Sequence, residues 1–146
     1  MKQTIIFFLL LLPLLAITQT ITVKQDGTGN FTTIQAAVDS AQNGDTVLVW
    51  PGVYYENIQI IEKNIVLGSL TLTSGDENYK YQTIIDGNSN GSCIDIEHND
   101  NLAIDGFTFQ NGTGNDNGNI DGGGIFAIGS TNHITNCIIK QNKTNG

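Results

Sequence analysis

The chain contains no arginine, and only six of its 146 residues are lysine. Against fourteen Asp and Glu this leaves a formal charge of −8 at pH 7. Nucleic acid is excluded as a partner on that ground, because phosphate binding needs clustered cations that release counterions. The same negative field repels an anionic polysaccharide unless Ca²⁺ bridges the two. Proline is scarce, at 2 residues, and charged residues make up only 14%, whereas glycine reaches 17. With Asn, Thr and Ile recurring throughout, that balance suits short strands joined by tight polar turns rather than helices. Cysteine is limited to Cys93 and Cys137, with no Cys-x-x-Cys pair or Cys/His cluster, so no zinc ligand set exists. The two could pair as a disulfide in an exported protein. Both lie inside apolar strand patterns, which favours buried free thiols.

Long hydrophobic runs are also lacking, apart from the stretch that follows Lys2 and extends from Ile5 to Ile17. It is shorter than the roughly 20 residues a spanning helix needs. Ala16 and Thr18 stand at the spacing of a cleavage site. Residues 1–18 therefore read as a signal peptide and residues 19–146 as one exported domain, secreted or at the cell surface. No membrane span remains after its removal.

Ile21-Thr22-Val23 reads as a strand running into the turn Asp26-Gly27-Thr28-Gly29-Asn30. A helix is expected next, over residues 32–42. Thr32 or Thr33 can cap it, and Ile34, Ala37, Val38 and Ala41 fall on one face. From Thr46 the chain becomes a succession of short β segments: 46–50, 58–60, 65–67, 83–85 and 93–96. Two longer units follow. Residues 101–109 lie on residues 131–139 at an offset of 30, matching Ile104 to Ile134, Phe107 to Cys137 and Phe109 to Ile139. Ile94-Asp95-Ile96 matches Ile125-Phe126-Ala127 at 31, and residues 64–67 echo residues 101–104 at 37, the longer gap being filled by polar residues 73–78. Such repeats suggest a solenoid, in which each coil buries its apolar face only against the next. The fold expected is all-β, a right-handed parallel β-helix with a short N-terminal capping helix that covers the open end. No matching cap appears near Gly146, so a truncated chain is expected.

Residues 25–38, Gln-Asp-Gly-Thr-Gly-Asn-Phe-Thr-Thr-Ile-Gln-Ala-Ala-Val, resemble the entry segment of pectinesterases and related pectin lyase-like β-helix proteins. Residues 51–57 and Phe107-Thr108-Phe109-Gln110-Asn111 extend the likeness, which covers roughly residues 21–112. The resemblance implies a carbohydrate-directed protein. It also implies a site with a Gln soon after the Phe-Gln-Asn segment, then a Gln-Asp pair, a further Asp and an Arg. Where the first Gln belongs this chain has Asp121-Gly122-Gly123-Gly124, and the pair would fall near Lys143-Thr144. The last repeat also resembles those of bacterial surface β-helix proteins, which include enzymes and adhesin-like passengers.

Catalytic and substrate-binding residues are accordingly not assigned from the sequence, and no cofactor is identified. Asp116, Asn117, Asn119 and Asp121 gather oxygen ligands in one Gly-rich loop, a candidate for Ca²⁺, although the same residues suit a plain turn. Asp86-Gly87-Asn88 reads the same way. Asp95 and Asp105, turned outward by strand alternation, are a candidate carboxylate pair, and Lys140 a candidate base, against the reading that all three are solvated. His98 and His133 lack a nearby Ser nucleophile pattern. Trp50, Tyr54 and Tyr55 could stack on sugar rings, with part of the group packing the core. Asn30, Asn90, Asn111 and Asn142 each open an Asn-x-Ser/Thr triplet. The function expected is polysaccharide binding or processing with the reacting groups beyond these residues, the alternative being a structural or adhesive stalk. The sequence says nothing of oligomeric state.

Overall fold

The computed structural model describes residues 17–114 and 122–144. The signal-peptide stretch through Ala16 and all four Ca²⁺ candidates, Asp116, Asn117, Asn119 and Asp121, lie outside the described residues.

Short strands dominate: β1 (Thr20–Val23), β2 (Thr46–Val49), β3 (Gly52–Tyr55), β4 (Ile58–Ile61), β5 (Val66–Ser69), β6 (Thr83–Asp86), β7 (Ile94–Glu97), β8 (Leu102–Asp105), β9 (Thr108–Gln110), β10 (Ile125–Ile128), β11 (Asn132–Thr135) and β12 (Ile138–Lys140). They form three sheets, ordered β1-β2-β5-β8-β11, β3-β6-β9-β12 and β4-β7-β10. Every pairing between these strands is parallel. From β2 onward the chain visits the five-, four- and three-stranded sheets in strict rotation, so each circuit lies on the one before. The fold is all-β and parallel. The expected matches hold in the register: Ile134 beside Ile104, Ile139 beside Phe109, Ile125 beside Ile94, and Leu67 beside Ile104.

Side-chain alternation then builds the core. Ile21, Val47, Leu67 and Ile104 form one continuous inner row across the five-stranded sheet, each 5% exposed or less. Tyr54, Ile85 and Phe109 do the same in the four-stranded sheet, and Ile58 with Ile94, and Ile60 with Ile96, in the three-stranded one. Each such side chain contributes about 1.5–3 kcal/mol of burial. The rows thin out at the last circuit, where Ile134 is 38% and Ile139 58% exposed.

Three features go beyond the sequence reading. Each of the units 101–109 and 131–139 divides into two strands, β8 with β9 and β11 with β12. Gly106, at φ 83°, and Asn136, at φ 51°, turn the chain from the five-stranded to the four-stranded sheet. Gly106 is required there twice over, since an added Cβ would also strike the Ser69 hydroxyl and stand 2.7 Å from Thr71 Oγ1. Residues 52–55, which carried no strand expectation, form β3. The polar stretch 73–78 is structured: helix α2 (Thr71–Ser74) lays Leu72 over Gly68, and a 3-10 turn (Glu77–Tyr81) sets the Lys80 carbonyl to accept from Thr108 Oγ1 at 2.7 Å.

Helix α1 (Ile34–Ser40) is shorter than expected but buries the expected face, Ile34, Ala37 and Val38, with Ala41 just beyond its end. It packs on β1, β2 and β4, at the first circuit. Thr33 occupies the N-cap position without a side-chain cap bond. Glu56 supplies the cap instead, its two oxygens accepting from Ile34 N–H and Gln35 N–H at 2.9 Å each. At the other end Lys63 Nζ donates to the Val38 and Asp39 carbonyls at 2.7 Å. A carboxylate at the positive end and an ammonium at the negative end, both from segments flanking β4, clamp the helix to the first circuit.

Candidate functional site

The outer face of the three-stranded sheet carries two rows that cross its strands. Gln59, Asp95 and Phe126 form one, and Ile61, Glu97 and Ile128 the other. Asp95 is outward by alternation yet only 8% exposed. Beside these rows, between α1 and β4, lies an open cleft lined by Gln35, Val38, Asp39, Gln59, Ile61 and Lys63. Its polar groups serve the fold. The Gln35 amide donates to Asp39 Oδ1 at 2.7 Å and accepts from Gln59 N–H at 2.8 Å, and Lys63 is committed to the helix end.

Asp95 and Asp105 do not form a carboxylate pair. Asp95 sits on β7 in the three-stranded sheet and Asp105 on β8 in the five-stranded sheet, with the turn at residues 98–101 between them. Asp105 Oδ1 instead accepts from Thr135 Oγ1 and Asn136 Nδ2, both at 2.7 Å, and so braces one circuit against the next.

The positions where the family pattern expects its reacting side chains are brought together, but as backbone. Gly112, Gly123 and Lys143 stack in a seam at the corner between the four- and three-stranded sheets. Lys143 N–H donates to Gly112 O at 2.8 Å, and Cys93 N–H to Gly123 O at 3.0 Å. A Cβ at Gly123 would collide with the Lys143 carbonyl and stand 2.7 Å from Gly112 O. No amide side chain can occupy that site without displacing main chain. The seam is closed from below by Cys93, fully buried, whose thiol lies against Gly87 and Gly112. Burial pushes the Cys93 thiol up to about 11. Cys93 and Cys137 are both free, and Cys137 is half-buried, its thiol likewise raised by burial.

A second polar group lies on the outer face of the four-stranded sheet. Asp86 Oδ2 accepts from Gln110 Nε2 at 2.8 Å and Asn111 Nδ2 at 2.7 Å, while Oδ1 accepts from Asn88 N–H at 2.9 Å. Burial raises the Asp86 carboxyl, but the bonds from Gln110, Asn88 and Asn111 outweigh it and hold the group below its usual range. Gln110 and Asn111, the end of the Phe-Thr-Phe-Gln-Asn segment, thus act in this chain as donors to a structural carboxylate. The turn Asp86-Gly87-Asn88 could be read from the sequence. Its two amide partners, 24 and 25 residues on, could not.

The aromatic group divides as expected. Tyr54 is buried, with its hydroxyl donating to the Trp50 carbonyl at 2.9 Å. Trp50 is half-buried with Lys24 Nζ 4.3 Å from its ring centre, and Tyr55 is 68% exposed. His98 holds a positive-φ corner at 53°, beside Gly129, and His133 is exposed on β11. Of the Asn-x-Ser/Thr triplets, Asn111 and Asn142 use their amide nitrogens inside the fold, on Asp86 and the Phe109 carbonyl. Among the described residues no group of three or more His, Cys, Asp or Glu stands close enough to hold a metal ion, and no helix is long and apolar enough to cross a membrane.

No family model matches the chain. It is similar to pectinesterases. It is 30% identical over 101 residues to probable pectinesterase/pectinesterase inhibitor 17 of Arabidopsis thaliana, covering 65% of this chain and 19% of that protein. It is 34% identical over 110 residues to probable pectinesterase/pectinesterase inhibitor 41 of the same plant, covering 64% and 18%. With pectinesterase 3 of Citrus sinensis the identity is 30% over 86 residues, covering 47% and 15%. The chain therefore spans less than a fifth of the length of these curated relatives.

Proposed function

We propose that this chain is the N-terminal part of a secreted right-handed parallel β-helix protein of the pectin lyase-like kind, which binds an extracellular polysaccharide related to pectin. The observation that carries the reading is the similarity to pectinesterases over about two thirds of the chain. The rotation of strands through three parallel sheets agrees with it. Residues 1–18 act as the export signal, which fits the apolar run and places the protein outside the cell or on its surface. The polypeptide here provides scaffold and binding surface, and the filled seam at Gly123 favours a chain without an esterase centre of its own in these coils. Any reacting carboxylates and amides would have to be supplied elsewhere. A purely structural stalk is the second reading, favoured by the engagement of Asp86, Asp105 and Gln110 in bonds between circuits.

Retention of the purified chain on a pectin column tests the first reading, with release of methanol and of unsaturated uronides measured alongside. Retention without either product is the expected result. Passage straight through pectin columns of every degree of esterification would refute polysaccharide binding and leave the stalk.

A further inference from the structure

The four-stranded sheet ends, at its corner with the three-stranded one, in a row that runs across all four of its strands. Tyr55 pairs with Asp86, Asp86 with Gln110, and Gln110 with Lys140. Alternation points all four outward, because their predecessors Tyr54, Ile85 and Phe109 are buried and Ile139 continues that inner row. At the parallel-strand spacing of about 4.8 Å the row is ~14 Å long, and it follows the stacking direction rather than the strands.

The four side chains differ in what they can still do. Tyr55 offers a ring that is 68% exposed. Asp86 is 5% exposed and spends its carboxylate on Asn88, Asn111 and Gln110. Those bonds fix the Gln110 amide, with its nitrogen turned to Asp86. Lys140 is exposed at the far end of the row. An aromatic plate, an immobilised amide and a cationic donor thus stand in line, the first two ~10 Å and the last two ~5 Å apart at the strand spacing, close to two and one pyranose units. Aromatic faces match the apolar faces of sugar rings, and fixed polar groups bind at low entropic cost.

Charge selects the occupant. The row holds one carboxylate and one ammonium and is neutral in sum, whereas the chain as a whole carries −8. A polyanion gains little locally and is repelled by the remainder of the surface. We propose that the Tyr55–Asp86–Gln110–Lys140 row is a binding site for an uncharged glycan chain lying along the stacking direction, with one sugar ring on Tyr55 and a hydroxyl or ester oxygen on Lys140. The inference rests on the polysaccharide reading above and deepens it. It assigns recognition to the four-stranded sheet and to the esterified, neutral form of the polymer.

Affinity electrophoresis of the full chain through gels containing highly methyl-esterified pectin, or fully de-esterified polygalacturonate, tests it. Retardation is expected in the esterified gel only. Tyr55→Ala should weaken it about tenfold, Tyr55→Phe should leave it within about twofold, and Lys140→Ala should weaken it severalfold. Because Tyr55 and Lys140 are exposed, these variants keep the fold, which circular dichroism verifies. Retardation in the esterified gel that Tyr55→Ala and Lys140→Ala leave unchanged overturns the row and spares the polysaccharide reading. Equal or stronger retardation by polygalacturonate overturns the choice of a neutral glycan. No retardation in either gel overturns both row and reading.

Discussion

Replacing Gly112 by alanine places a methyl group inside the seam that joins three successive circuits. A Cβ there would run into the Gly123 carbonyl, 2.7 Å from its carbon, and stand 3.0 Å from the Cys93 sulfur. The backbone at Gly112 is not free to retreat. Its N–H donates to Asn142 Oδ1 at 2.8 Å, and its carbonyl accepts from Lys143 N–H at 2.8 Å. Gly123 O is itself the acceptor for Cys93 N–H at 3.0 Å. At least one of these three bonds must lengthen beyond use, at about 0.5–1.5 kcal/mol net. Overpacking adds about 1–3 kcal/mol. Gly112→Ala is therefore expected to destabilise the chain by about 3 kcal/mol, read as the shift in urea midpoint at constant m followed by far-ultraviolet circular dichroism. Gly75→Ala is the control, because Gly75 has φ 73° and open space where a Cβ would go. It should lose only about 1–2 kcal/mol, from the left-handed backbone. A Gly112→Ala loss no larger than that of the control would refute the close stacking of the seam.

Glu56→Ala should cost about 2 kcal/mol, because it strips both first-turn N–H groups of α1 of their acceptor, and amide exchange should quicken at Ile34 and Gln35 before the strands respond. Asp45 is held below the ordinary carboxylate range by the N–H groups of Gln42 and Gln19, burial opposing them, and Asp86 is lowered as described. Both carboxylates bind protons more weakly in the folded chain, so their stabilisation is complete above about pH 4 and is lost as pH falls through the depressed values. Urea midpoints should drop on that acid side, and Asp45→Asn should flatten the drop while lowering the midpoint at pH 7. With its thiol raised to about 11 and fully buried, Cys93 should resist a thiol reagent at pH 8 until urea unfolds the chain. Immediate labelling of Cys93 in native buffer would show that the seam is open.

How far the sequence revealed this structure depended on the range of the interactions involved. The 30-residue echo was legible because Ile104, Phe109, Ile134 and Ile139 occupy equivalent inner positions, and parallel stacking places equivalent residues side by side. The apolar face of α1 was legible for the same kind of local reason. The breaks within residues 101–109 and 131–139 were less so, since Gly106 and Asn136 sit in otherwise unbroken strand-like text and turn the chain by a left-handed backbone conformation. β3 was hidden behind Pro51 and Gly52, ordinary turn signals, and α2 behind a run of Thr and Ser that favours caps and turns. The misplaced Asp95–Asp105 pair follows from reading outward as shared, when a turn had already carried the chain to a different sheet. Least legible were contacts between circuits. Glu56 caps a helix 22 residues before it, and Asp86 draws its donors from 24 and 25 residues after it.

The stacking of parallel circuits is tested most directly by cross-linking Ala103→Cys in β8 to His133→Cys in β11, which face each other in register on the outer side of the five-stranded sheet. Neighbouring parallel strands lie about 4.8 Å apart, within the span a disulfide can bridge. Rapid formation of the 103–133 bond under mild oxidation is expected, with Ala103→Cys paired to Thr135→Cys remaining reduced. Preferential bonding of 103 to 135, or no bond at 103–133 in the folded chain, would contradict the account.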